Sequence, residues 1–391
     1  MMIYKHLTPI TLFLALVTQN QTTAKPPQDD GIVFHPYYRF NSSSVDAPIA
    51  SPDGTFAIST RDPRNNNYKI TVIRSDAVHF DLSPESVTFF SRPNNFSSSQ
   101  WNMTPVAFEG DVVYGNISPA RRPGEEKPSA FPMACRVNLK TGQGEVILHN
   151  NPRLDIVKAV GSFQDKIMYE ASSSQKDSGE KPRVCIQDAL SATNMFGITD
   201  LKIDSAAGAP IYMGSDDRYW YVMQIGEHPV VLAGNDSERF SFPIPDDQNI
   251  AAVAGCMGDK LCVAAWGKKG ETTAGWLDQS GNFKPLDIMS VAAQNGGRIE
   301  LCASNGRYIA GSITAKTKCW GFVINTTTGK TSFLPGIKPC AFVPKSDNKI
   351  VAIVNDSVGI IEAINGFAPT PQDKWPQPDK HTSLGKSGLK L

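Results

Sequence analysis

The sequence predicts an all-β protein: seven copies of a four-stranded antiparallel unit, closed into a ring by the N-terminal strand. Three observations predict it. Arg298–Ile337 reads as four short strands, Arg298–Ala303, Arg307–Ile313, Lys318–Asn325 and Lys330–Leu334, with turns at Ser304-Asn305-Gly306 and Thr328-Gly329. A turn of Asp, Asn or Gly followed by an apolar strand recurs seven times, at Ser51–Thr60, Glu109–Ile117, Phe163–Ala171, Ser215–Met223, Met257–Trp266, Ser304–Ile313 and Lys345–Val354. The last repeat, Lys338–Asn365, supplies three strands (Cys340–Val343, Ile350–Val354 and Val358–Ile364), while a lone strand-like segment, Ile32–Phe40, precedes the first repeat.

Each observation has a local physical cause. Short runs rich in β-branched and aromatic residues, bounded by turn formers, suit a pleated and packed surface. Strands packed on both faces must be joined tightly, and Asp, Asn and Gly tolerate the positive φ of such hairpins. Turns begin at Asp53, Gly110, Asp165, Asp216, Gly258, Asn305 and Asp347, a spacing of about 40 to 57 residues that falls at and somewhat above the period of four-stranded propeller blades. Pairing the lone first strand with the incomplete last unit removes open sheet edges, which is why such rings form. The expected fold is therefore a seven-bladed β-propeller of four-stranded antiparallel blades, closed by the N-terminal strand.

In chain order, residues 1–24 read as an export signal. Met1–Pro9 carries one Lys and one His, Ile10–Val17 is an apolar run too short to span a bilayer, and Ala24 supplies a small residue for cleavage. Residues 25–31 are a polar linker, 32–365 the propeller and 366–391 a Pro- and Lys-rich flexible tail in which Trp375 is the one residue suited to docking. Helical periodicity is confined to Leu286–Ala293 and Gln187–Met195. In a blade the turn between the first two strands faces one end. The loops between strands two and three, and from blade to blade, face the other. At that second end the long loops cluster on blades one to three: Arg61–Asn67, Ser118–Ser129 and Ala171–Lys181, with Ser83–Gln100 leading into blade two. Their later equivalents, Gly226–His228, Gly267–Glu271 and Thr314–Thr317, are short. Loops carry binding function more often than the scaffold does.

Composition narrows the chemistry. The chain of 391 residues has 38 basic and 38 acidic side chains, a formal net charge of zero, which gives no electrostatic basis for nucleic-acid or membrane-surface binding. The histidines are scattered without metal-ligand or triad spacing, and no nucleophile elbow or phosphate-binding loop occurs. Asp246-Asp247, in a blade-to-blade loop, are the one candidate pair for Ca²⁺, a hard cation that takes carboxylate oxygens. Arg61, Arg64, Arg121, Arg122, Lys176 and Lys268 fall in loops between second and third strands and form a candidate rim for an acidic partner, interleaved with Glu125, Glu126, Asp177 and Glu180.

Seven cysteines leave at least one unpaired. Cys256 and Cys262 flank the Met257–Lys260 turn and suit a cross-strand disulfide if the register sets them opposite each other. Asn-X-Ser/Thr sequons at Asn41, Asn95, Asn102, Asn116, Asn235, Asn325 and Asn355 would accept glycans in a eukaryotic secretory setting. Trp220, Trp266, Trp276 and Trp320 fall on strands and are expected to pack between blades.

IASPDGTFAIST at Ile49–Thr60 resembles the SPDG strand pair of TolB-type and related WD-like propeller blades. The other copies keep the turn and lose the Ser-Pro, and no WD dipeptide, kelch Gly-Gly or sialidase Asp-box is present. The resemblance implies the architecture and brings no catalytic residue with it. The function expected is a secreted or periplasmic, monomeric, cofactor-free propeller that binds a protein or glycan through the loop face of blades one to three. The alternative is a propeller enzyme, a hydrolase, lyase or lactonase with Ca²⁺ at the mouth of the central channel.

Overall fold

A computed structural model describes residues 31–40, 45–51, 53–61, 68–74, 79–82, 87–88, 101–119, 133–149, 151–163, 166–175, 179–180, 183–188, 199–200, 212–213, 219–225, 228–234, 239–245, 248–257, 259–267, 272–315, 318–343 and 345–377. They form seven sheets. The N-terminal strand is β1 (Ile32–Arg39). Sheet one is β2 (Val45–Ala50), β3 (Phe56–Arg61), β4 (Tyr68–Ile73) and β5 (His79–Leu82). Sheet two is β7 (Trp101–Glu109), β8 (Val112–Pro119), β9 (Met133–Asn138) and β10 (Gly144–Val146), with β6 (Val87–Thr88) added at its edge. Sheet three is β11 (Ile156–Phe163), β12 (Lys166–Ser172), β13 (Arg183–Asp188) and β14 (Thr199–Asp200). Sheet four is β15 (Tyr212–Met213), β16 (Tyr219–Ile225), β17 (His228–Gly234) and β18 (Arg239–Pro243). Sheet five is β19 (Gln248–Met257), β20 (Lys260–Gly267), β21 (Thr272–Asp278) and β22 (Phe283–Pro285). Sheet six is β23 (Arg298–Ser304), β24 (Tyr308–Ala315), β25 (Lys318–Asn325) and β26 (Thr331–Pro335). Sheet seven is β27 (Ile337–Phe342), β28 (Lys349–Val354) and β29 (Ser357–Ala363), with β1 outermost.

The sheets are antiparallel meanders, which follows from the tight turns that join consecutive strands. One exception was not expected: β6 pairs parallel with β10, Val87 opposite Gly144, so sheet two has five strands. The pairing of β1 with β29 runs from Ile32 opposite Ala363 to Arg39 opposite Ser357. The first strand of each sheet touches the first strand of the next, and β27 touches β2.

Apolar side chains fill the seams between neighbouring sheets, as at Ile70, Met103, Val113 and Ile117 between sheets one and two. Polar side chains also cross them. Asn116 on β8 is buried, donates from Nδ2 to the Ala159 carbonyl at 2.8 Å and accepts the Ala159 N–H at 2.8 Å. That sequon is therefore a structural joint between sheets two and three, with no room for a glycan on the folded chain.

Bulges recur on first strands. Pairing shifts between Pro105 and Ala107 on β7, Leu301 and Ala303 on β23, and Pro339 and Ala341 on β27. The extra residue brings backbone toward the partner strand, and glycine answers it. A Cβ on Gly311, opposite Leu301, would lie 2.5 Å from the Glu300 carbonyl oxygen and 2.4 Å from the Phe322 ring.

The helical expectation at Leu286–Ala293 is met by α1 (Met289–Asn295), shifted toward the C-terminus and ended by Gly296 at φ 60°. At Gln187–Met195 the described residues, Gln187 and Asp188, belong to β13; the rest lies outside the described residues. The tail expected to be flexible from residue 366 is packed against the fold over its described residues, 366–377. Phe367 is buried against Tyr308, Thr370 donates its N–H to the Thr331 carbonyl at 2.9 Å, and Trp375 stacks edge-on against Phe333 at 5.3 Å. Apolar side chains inside a Pro-rich composition hold this strap along β26. Trp276 and Trp320 pack in the core between sheets five and six, as expected of strand tryptophans.

Candidate functional site

The turn ends of sheets one and two enclose a cavity of about 340 Å³, lined by Ser51, Asp53, Thr55, Arg74, Phe108, Gly110, Asp111, Leu139 and Lys140. Four chain segments supply it: the β2–β3 turn, the end of β4, the β7–β8 turn and the β9–β10 turn. Each is held by its own local chemistry.

In the first turn Asp53 accepts the Thr55 N–H at 2.9 Å and the Ser51 hydroxyl, while the Ser51 N–H donates to the Thr55 carbonyl at 2.7 Å. The Ser51 hydroxyl holds the Asp53 carboxyl below the usual carboxylate range, with help from Thr55 and against the cost of burial. In the β9–β10 turn Asn138 accepts the Lys140 N–H at 2.9 Å and the Thr141 N–H at 3.2 Å, and Gly142 takes φ 69°. Lys140 Nζ then pairs with Asp111 at 2.5 Å. The Arg74 guanidinium lies over the Phe80 ring at 5.5 Å. Phe108, 8% exposed, and Leu139 form an apolar floor continuous with the core. The cavity thus has an apolar base and a rim of both charge signs, whose side chains are largely engaged by partners in their own sheet.

The sequence pointed to the other end of these sheets. Arg61 closes β3 there, opposite Tyr68, and is exposed. Arg64, Arg121, Arg122, Lys176, Lys268, Asp246 and Asp247 lie outside the described residues. Among the described residues no group of three His, Cys, Asp or Glu side chains is arranged to hold a metal ion. The Cys256–Cys262 disulfide is corrected by the register. A two-residue turn sets Met257 opposite Lys260, hence Cys256 opposite Leu261 and Cys262 opposite Gly255. Cys262 is a free, buried thiol, and burial pushes its pKa up.

The cavity residues Leu139 and Lys140 carry a signal that sequence reasoning missed. Turns between third and fourth strands repeat as Asn138-Leu139-Lys140-Thr141-Gly142 and Asn325-Thr326-Thr327-Thr328-Gly329, with Asp278–Gly281 a shorter version. In all three the leading Asx oxygen caps the following N–H groups. That second repeat would have located the turn end of every blade that carries it.

No protein-family profile and no curated protein matches the chain. Solved structures do. Prolyl oligopeptidase B from Galerina marginata, in its apo form, is similar with a TM-score of 0.50 and 10% identity, over 85% of this chain and 50% of that one. The β-propeller domain of the Trilobed protease from Pyrococcus furiosus is similar with a TM-score of 0.47 and 8% identity, over 83% of this chain and 98% of that one. TolB from Acinetobacter baumannii is similar with a TM-score of 0.43 and 13% identity, over 75% of this chain and 67% of that one. At such identities the likeness concerns architecture and no activity. The chain has the strand architecture of a β-propeller.

Proposed function

We propose that the seven sheets are the blades of one closed seven-bladed ring, with β1 as its fastener, and that this ring is an exported, monomeric module that binds a partner protein through blades one to three. Support for the ring is the unbroken run of first-strand contacts, completed by β27 against β2. Support for export is the segment Met1–Ala24.

The observation that carries binding over catalysis is the state of the charged groups in the cavity. Asp53 is engaged by Ser51 and Thr55, and Asp111 by Lys140. A general acid or base needs a group poised near its working pH and within reach of substrate. A carboxyl held below its usual range by its own turn serves as a fixed acceptor instead. An apolar floor with a mixed-charge rim suits an apolar side chain presented on a polar loop, the common anatomy of a protein interface. The basic loops at the other end, Arg61–Asn67 and Ser118–Ser129, offer the second surface of the same blades.

Quantitative co-purification from the native envelope or secretion fraction tests this. The full chain is compared with an Arg74→Glu/Lys140→Glu variant and with a deletion of residues 121–129. A partner protein retained by the parent and lost tenfold or more by either variant, with melting unchanged, is expected. Retention by both variants equal to the parent's overturns the assignment to blades one to three. Stoichiometric Ca²⁺ in the purified protein, together with EDTA-sensitive turnover of a glycan or lactone, would favour the enzyme reading.

A further inference from the structure

The six cysteines whose side chains the structure describes divide into two groups. Cys135, Cys185 and Cys262 are fully buried, each in a different core cluster. Cys302, Cys319 and Cys340 are only partly buried and gather at the seam between sheets six and seven. The Cys319 thiol donates across that seam to the Ile337 carbonyl at 3.8 Å. Cys302 packs against the cluster that contains Ile337 and Phe342 of sheet seven.

Two of these cysteines occupy matched positions. Pairing shifts between Leu301 and Ala303, so Cys302 is the extra residue of the β23 bulge; it shifts between Pro339 and Ala341, so Cys340 is the extra residue of the β27 bulge. Each thiol donates to the carbonyl two residues before it, Cys302 to Glu300 at 3.7 Å and Cys340 to Lys338 at 3.3 Å. Those two residues are themselves joined across the seam, Lys338 Nζ to Glu300 Oε2 at 3.0 Å. The ion pair sets the Glu300 and Lys338 side chains against each other across the seam, and each cysteine follows its member of that pair by two residues. A bulge re-aims the side chain it adds, both bulges add a cysteine, and β23 and β27 touch.

We propose that Cys302 and Cys340 are a redox pair that closes as a disulfide between sheets six and seven, with the disulfide of a small thiol such as glutathione, or of a thiol–disulfide oxidoreductase, as oxidant. One cysteine thiolate attacks the oxidant's S–S bond and expels one of its sulfurs as thiol. The other cysteine thiolate then attacks the mixed disulfide and expels the second. One intramolecular S–S bond forms, the oxidant's S–S bond breaks, its two sulfurs leave as thiols, and they take up the two cysteine protons. Burial pushes the Cys302 thiol up to about 12, and burial followed by the nearness of Cys302 pushes Cys340 up as well, so the reduced pair persists until such an oxidant reaches it.

Peptide mapping of the full chain distinguishes the possible pairings without any variant. Trypsin releases Cys302 in residues 299–307, Cys319 in 319–330 and Cys340 in 331–345, because Lys338 precedes a proline and is spared. The native protein is incubated with excess oxidised glutathione, alkylated and digested without reduction. The expected product is 299–307 linked to 331–345, two hydrogens lighter than the two peptides together and lost on reduction. It is also expected to be absent from Cys302→Ser and Cys340→Ser and retained in Cys319→Ser. Linkage of either peptide to 319–330, or recovery of 299–307 and 331–345 unlinked, overturns the proposal.

Discussion

The seam between sheets six and seven and the seam between sheets one and two start from the same turn and end differently. At sheet six Asn305 accepts the Tyr308 N–H at 2.8 Å, and its amide donates onward to the Ser346 carbonyl of sheet seven at 3.2 Å. Arg307 reaches Asp347 in the same direction at 2.9 Å. At sheet one the equivalent residue is Asp53, which has no N–H to give and folds back on Ser51 and Thr55. Thr55 stands where Arg307 does, too short to cross, and Asp111 is taken up by Lys140 of its own sheet. One seam is laced shut at the turn end and the other is left open as the cavity. The lesson is chemical: the Asn305 amide can both accept within its turn and donate to the next sheet, whereas the Asp53 carboxylate only accepts and is held by its own turn.

The largest way to break the comparison is to remove one wall of the closed seam. Deleting residues 25–40 strips β1 from sheet seven and exposes the β29 edge along the whole Ile32–Arg39 pairing. The expected result is cooperative destabilisation of the domain by several kcal/mol, a large part of a typical domain's total, measured by denaturant unfolding. A loss confined to a local transition, or below about 1 kcal/mol, would count against β1 as the fastener of the ring.

A smaller effect sharpens the contrast at two glycines. Gly311→Ala drives a methyl into the Glu300 carbonyl and the Phe322 ring, and neither strand backbone nor core ring can give way freely. The expected cost is about 1–3 kcal/mol, as for other overpacked sites. Gly110, on the cavity, has open space around an added Cβ but φ 53°. Its alanine variant should lose only about 1 kcal/mol, from backbone conformation alone. Equal losses from the two would remove the distinction between a glycine required by packing within sheet six and one required only by its backbone conformation.

The same division marks what the sequence could tell. All four strands of sheet six were legible to within about two residues, because hairpin turns are written in adjacent residues such as Ser304-Asn305-Gly306. The β1 strand was legible from a count, one strand spare and one missing. The disulfide at Cys256 and Cys262 failed on a one-residue register, which no pattern of apolar residues around that turn specifies. The cavity was not legible at all, since its openness depends on which side chains from neighbouring sheets reach each other, and those contacts span dozens of residues. The strap was half visible: Trp375 stood out in a polar tail, but its partner Phe333 did not.

Smaller again is the effect of cutting one surface pair on each side. Arg307→Ala removes the exposed bridge to Asp347, and Lys140→Ala the exposed pair with Asp111. Exposed pairs contribute little to stability, so both variants should melt close to the parent. They should part in function: partner capture falls with Lys140→Ala and is unchanged with Arg307→Ala. Loss of capture in both, measured by the same co-purification, would indicate that the partner reads overall charge and not the open seam.

The smallest expected effect is a titration. Asp53 has its folded-state carboxyl held down, first by the Ser51 hydroxyl. A group whose pKa is depressed on folding adds stability above its unfolded value of about 3.9, and that stability is lost as pH falls through the folded value. The window therefore lies in acid, below roughly pH 4, and at neutral pH the interaction is fully present. Ser51→Ala removes the principal cause and should move the Asp53 carboxyl back up toward its ordinary range, followed by carboxyl NMR shifts through an acid titration. Asn305, the amide at the matching position, titrates not at all, so an Asp53→Asn variant should flatten the acid end of the stability profile by losing the carboxylate's contribution at neutral pH, and should approach the parent in acid. If Ser51→Ala leaves the Asp53 titration where it was, the hydroxyl is not what turns that carboxylate inward, and the account of why this seam stays open must shift to Thr55 and Asp111.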